Sequence, residues 1–173
     1  LIKKIYEEQG QIKDVFFTAC GGSLVDLYPG FYFINAESET MHSHWLTAKE
    51  LIVSPSKFLK KGALVILCSH GGNTTVNAAK LAKERGAAVI TMTHNPNSIC
   101  AQEDMNPVVY SWEDDTNEKE RPQGIVMRVL NELMKLQEPS YTKYEAVLDG
   151  LEKADGIVRA AVKKVQNRTW VFA

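Results

Sequence analysis

Two stretches of the chain are apolar without polar alternation: Val15-Phe-Phe-Thr-Ala-Cys20 and Ala63-Leu-Val-Ile-Leu-Cys68. Runs of that length and of β-branched and aromatic character read as strands covered on both faces. Residues 14–19 are taken as the first strand and 63–68 as the third. Residues 87–93 form a fourth, 107–110 a short fifth, and 45–47 a short candidate for the second. Between them the apolar positions fall at helical spacing. Ile2, Ile5 and Tyr6 mark a helix over 1–9 that Gly10 stops. A second helix is expected from about 24 to 34, interrupted at Pro29. One or two turns follow at 48–53, closed by Ser54-Pro55. Val76, Ala79, Leu81 and Ala82 line a helix over 74–85 that Gly86 ends. Ile125, Val126, Val129, Leu130, Leu133 and Met134 line one over 123–137. The last helix, 141–166, carries the stripe Leu148, Leu151, Val158, Ala161, Val162 and Val165. Strands alternating with helices predict an α/β fold around a parallel sheet.

The first and third strands end alike. Val15–Cys20 runs into Gly21-Gly22-Ser23, and Ala63–Cys68 into Ser69-His70-Gly71-Gly72-Asn73-Thr74. Glycines let the backbone turn sharply and leave no Cβ in the way of a ligand. Ser23 falls where a helix N-cap is expected, and Asp26 completes a capping box in the plain-turn reading. In the other reading, unpaired amides and the positive end of each helix dipole make anion sites. Two such turns would aim two helix N-termini at one edge of the sheet, where open α/β sheets bind ligands. That duplication favours the phosphate reading over a pair of plain turns.

Composition bounds what else the chain could be. With 173 residues, 45% hydrophobic and 24% charged, it is sized for one ordinary globular domain. A net charge of −1 gives no reason to expect a nucleic-acid or membrane-surface partner. No apolar run approaches the roughly 20 residues a membrane helix needs. Cys20, Cys68 and Cys100 lack metal or disulfide spacing, and Cys20 and Cys68 end strands taken as buried. Reduced thiols and the lack of a signal peptide fit the cytoplasm.

Several chemistries lack their patterns. His42-x-His44 has no further Cys or His at ligand spacing, and His70 and His94 are distant in sequence, so no metal is expected. Neither Ser23 nor Ser69 lies in a G-x-S-x-G elbow. No G-x-G-x-x-G or G-K-[ST] follows the glycines, so no nucleotide cofactor is expected. A monophosphorylated ligand remains. The hydroxyls of Ser23, Ser69 and Thr74, with the amides from Gly71 to Thr74, would supply short donors to one dianion. His70 is the one titratable group inside a ligand turn; it would donate to phosphate, assist proton transfer, or bond to the loop backbone.

The pair Cys20-Gly-Gly-Ser23 and Ser69-His-Gly-Gly-Asn-Thr74 resembles the sugar-isomerase (SIS) domain, over about residues 14–137. The likeness is to fructosamine-6-phosphate deglycases and the isomerase halves of glucosamine–fructose-6-phosphate aminotransferases. It implies a three-layer α/β sandwich with a five-stranded parallel sheet in flavodoxin-like order. The phosphosugar-binding roles fall on Gly22, Ser23, Ser69, His70, Gly71, Asn73 and Thr74, with Gly71 where many members carry a second serine. The resemblance implies residues 10–138 as a first lobe, 139–167 as a connector helix, and 168–173 as the opening strand of a truncated second lobe. The main acid/base residues would come from that second lobe. The whole protein would act, as a homodimer or higher homo-oligomer, on a C1-aminated ketose 6-phosphate, releasing glucose 6-phosphate and an amine. The alternative is a sugar-phosphate sensing module of a transcriptional regulator.

Overall fold

The computed structural model describes residues 1–111, 113 and 115–165. The elements run α1 (Ile2–Gln9), β1 (Asp14–Ala19), α2 (Gly22–Val25), α3 (Tyr28–Glu37), β2 (His42–Thr47) and α4 (Ala48–Val53). They continue β3 (Ala63–Cys68), α5 (Asn73–Glu84), β4 (Ala88–Thr93), β5 (Pro107–Val109), α6 (Pro122–Gln137) and α7 (Tyr144–Val165). The five strands lie in the order β2-β1-β3-β4-β5, every neighbouring pair parallel. This is the α/β three-layer arrangement in flavodoxin-like order.

β1, β3 and the inner part of β4 are buried along their lengths, so each side chain must find an apolar partner on its own face. Val15, Phe17, Leu64, Ile66 and Ile90 pack beneath α1, α3 and α6 with Ile5, Phe33, Ile34 and Leu130. Phe16, Val65, Leu67 and Val89 pack on the opposite face with Leu51 of α4 and Val76, Ala79 and Ala82 of α5. The helices after β1 and after β3 therefore cover opposite faces, although the two strands are neighbours. A crevice opens between their carboxyl ends, at the point where the winding direction reverses.

Three sequence expectations need correction. The helix expected over 24–34 is two pieces: a single turn, α2, and then α3, with Pro29 in its first turn. Proline is accommodated there because a first-turn amide has no helical partner to lose. The second strand covers His42–Thr47 rather than 45–47, because it pairs with the whole of β1 from Asp14↔His42 to Ala19↔Thr47. Its polar His-Ser-His start hides the strand signal; His44 reaches Asp14 at 2.8 Å and stacks on Phe16. Cys20 is exposed, one residue beyond the buried end of β1, whereas Cys68 and Cys100 are buried.

The end of α6 ties the sheet to the α3–β2 turn. Gln137 Oε1 accepts from the Ile12 amide at 2.8 Å, and its Nε2 donates to Ile12 O at 2.7 Å. Glu138 accepts from the Ser38 hydroxyl, from the Glu39 amide at 3.1 Å and from the Thr40 hydroxyl at 2.8 Å. Beyond it, α7 buries none of its residues. The strand expected at 168–173 lies outside the described residues.

Candidate functional site

β1 and β3 end in step, with Ala19 opposite Cys68, so the two glycine turns leave the sheet side by side. In the first, Gly21 takes φ 58 and ψ −135, a conformation closed to side-chain-bearing residues, and starts α2 directly behind it. Gly21, not Ser23, is the N-cap, and no side chain caps the turn. The capping box of Ser23 with Asp26 is thereby overturned. Asp26 sits at the far end of α2 and accepts from Gln123 Nε2 at 2.7 Å. Burial raises its carboxyl above the ordinary aspartate value, with the nearby His70 pulling the other way. A four-residue turn has little macrodipole to offer; it carries half-buried Ser23 and exposed Gly22.

The second turn is built around Ser69. Its amide donates to Met92 O at 2.9 Å, anchoring it to β4. Its Oγ accepts from the amides of Gly71 at 3.3 Å and Gly72 at 3.0 Å. Those two amides, expected to face a ligand, are turned onto Ser69 instead. Gly71 reaches φ 143 to make this bend, which explains a glycine there in place of a hydroxyl residue. α5 then begins with Gly72 as an N-cap that offers no side chain. The first-turn amides of Asn73 and Thr74 have no partner within the helix. Asn73 is exposed and Thr74 half-buried, both in the first turn of α5. Ser69, by contrast, is only 9% exposed and acts chiefly by shaping the turn.

The residue that sequence reasoning missed is His94. It follows β4, and because β4 pairs with β3 its loop lies against the Ser69 turn. His70 Nδ1 and His94 Nδ1 are 2.9 Å apart, with the rings inclined at 61°. Tyr110, just past β5, adds its ring 6.2 Å from that of His94. Only the adjacency of consecutive parallel strands could have revealed this, since 24 residues separate the two histidines. His42 and His44 lie on β2, with His44 bonded to Asp14 at the start of β1, away from these turns. Among the described residues no three His, Cys, Asp or Glu side chains converge as a metal site would require. Burial pushes the Cys68 thiol up to about 12, with its hydrogen bonds to Tyr110 and Ser23 offsetting part of it. A thiol so held is no nucleophile.

A cavity of about 1020 Å³ lies elsewhere, between α1, β5, α6 and α7, lined by Ile2, Val108, Arg128 and Tyr144. No helix among the described residues is long and apolar enough to cross a membrane.

The SIS domain family matches residues 11–117. Fructosamine deglycase FrlB of Bacillus subtilis strain 168 is 35% identical over 164 residues, 94% of this chain and 50% of that protein. A solved structure from Bacillus subtilis, described as a candidate phosphosugar isomerase, matches with a TM-score of 0.86 at 34% identity, covering 94% of this chain and 50% of its own. Another so described, from Salmonella typhimurium LT2, gives 0.87 at 29% identity over 95% of this chain and 50% of its own. The chain thus spans about half the length of these relatives.

Proposed function

The chain belongs to the SIS domain family, and from that premise we propose that it is the phosphosugar-binding lobe of a deglycase or isomerase acting on a C1-aminated ketose 6-phosphate. The observation that carries this reading is the pairing of the Gly21-Gly22-Ser23 and Ser69–Thr74 turns on adjacent parallel strands. Ser23, His70, Asn73 and Thr74 lie on those two turns, none of them buried, and α5 begins there with Gly72 as an N-cap that offers no side chain. Charge-assisted hydrogen bonds to a phosphate dianion are each worth about 1.5–3 kcal/mol net. A few of them anchor a small sugar without any metal.

The likeness to a fructosamine deglycase supports the substrate class. The chemistry is a proton transfer from C1 to C2 of the ketosamine, with the amine proton lost from nitrogen and one gained at O2, giving a C1 imine and a C2 hydroxyl. Water then adds at C1, the C–N bond breaks, and the amine leaves from the aldose phosphate. Residues 10–138 form the first lobe in this reading, and most of the acid/base groups come from a second lobe, for which the greater length of the relatives leaves room. A homo-oligomer with reduced thiols, working in the cytoplasm, completes it.

Incubating the full-length protein with fructosamine 6-phosphates, and coupling glucose 6-phosphate to a dehydrogenase, tests the reading. Release of glucose 6-phosphate is expected. Binding without turnover would favour a sugar-phosphate sensing module. Should fructose 6-phosphate and its aminated relatives all leave the melting point unmoved and yield no product, the phosphosugar reading fails.

A further inference from the structure

We propose that His70 and His94 act as one group in the crevice: a hydrogen-bonded imidazole pair that takes up a single proton when a phosphomonoester dianion binds. The inference rests on the phosphosugar reading and adds His94, and a proton count, to it. The two turns and the loop after β4 bring no fixed positive charge of their own. Residues 20–26, 69–74 and 93–100 contain no lysine or arginine. The amides of Gly71 and Gly72 are committed to Ser69 Oγ. A dianion drawn out of water there meets hydroxyls, two helix amides and the two imidazoles.

The 2.9 Å separation of the Nδ1 atoms limits what the rings can carry. Two Nδ1–H groups would collide and two lone pairs would repel, so one proton lies between them. The accepting ring therefore holds its own proton on Nε2. The donating ring is either neutral, with a lone pair on Nε2, or cationic, with Nε2–H. The pair is thus neutral or singly charged, never doubly. With both Nδ1 atoms facing each other, any contact with a ligand is made through Nε2. The neutral pair turns one lone pair toward a phosphate oxygen; the charged pair presents two donors. A dianion selects the second state, and one proton enters with it.

Three neighbouring groups do not compete for that proton near neutral pH. From β3, the Cys68 thiol is pushed up to about 12 by burial. Beyond β5, burial and the adjacent Cys68 raise the Tyr110 hydroxyl well above its usual value. Past β4, burial raises the Cys100 thiol. These three stay protonated. From α2, the Asp26 carboxylate interacts with His70 and favours the charged pair. That arrangement also gives a role to an acidic residue that would otherwise only oppose phosphate.

Calorimetry on the full-length protein with fructose 6-phosphate at pH 8, in buffers of different ionisation enthalpy, reads the proton count directly. At that pH the ligand phosphate is already a dianion, since its second pKa is about 6. Net uptake approaching one proton is expected, and none with unphosphorylated fructose. His94→Gln should lower affinity about tenfold and abolish the uptake. Imidazole nitrogen spectra of the unaltered protein give a readout that needs no variant. They should show one bare Nδ1 in the free protein and both Nε2 atoms protonated in the complex. Tight binding with no proton uptake, or a His94→Gln protein unchanged in affinity and uptake, overturns the pair and leaves the phosphosugar reading standing. Absence of any binding removes both.

Discussion

Ser69 decides the shape of the crevice more than its surface. Its hydroxyl gathers the Gly71 and Gly72 amides, and its own amide is pinned to β4, so the turn is set before any ligand arrives. Replacing Ser69 with alanine strands two amides and frees a turn that already depends on the unusual backbone at Gly71. The Ser69→Ala protein is expected to bind fructose 6-phosphate roughly tenfold to a hundredfold more weakly, the equivalent of one or two lost hydrogen bonds. Titration calorimetry checks it. The two turns were readable at this scale because glycine and hydroxyl types cluster where strands stop. What was not readable was their division of labour. Sequence gives Gly71, Gly72 and Ser69 as equal donors, whereas the fold turns the first two onto the third. Ser23 likewise looks like a cap until Gly21 is seen to take that position.

Among the elements, α6 has the widest reach. Gln137 and Glu138 at its end hold Ile12, Ser38, Glu39 and Thr40, joining segments about a hundred residues apart. Burial alone would raise the Glu138 carboxyl, but the hydrogen bonds from Ser38, Glu39 and Thr40 outweigh it and hold the group below 4.5. A carboxylate depressed in this way stabilises the fold above 4.5, its ordinary value, and that contribution fades as pH falls through the folded value. Glu138→Ala is expected to cost about 2–3 kcal/mol at pH 7 by denaturant unfolding. The gap between parent and variant should narrow as the pH falls below 4.5. Helices α5 and α6 were legible because their apolar residues repeat at helical spacing along one face. β2 was half legible: His42, Ser43 and His44 carry no strand pattern, and only pairing with β1 makes them one. The break between α2 and α3 was visible at Pro29 but misplaced, since proline suits a helix start better than a kink.

For the molecule as a whole, strand order matters more than any motif. β1 and β3 are neighbours whose following helices go to opposite faces, and that reversal opens the crevice into which both turns project. The same order carries the β4 loop, and His94 with it, to the edge of the site. No local pattern encodes that approach. The competing locations are distinct: the cavity between α1, β5, α6 and α7, and the opposite rim of the sheet around Lys13, His42 and Lys60. A titration of the isotopically labelled protein with fructose 6-phosphate, followed by amide NMR shifts, separates them. The largest shifts are expected at Gly21–Leu24 and Ser69–Thr75, with His94 moving alongside. Shifts gathered instead around Val108, Arg128 and Tyr144, or around Lys13 and His42, with both turns still, would contradict a phosphate held between β1 and β3.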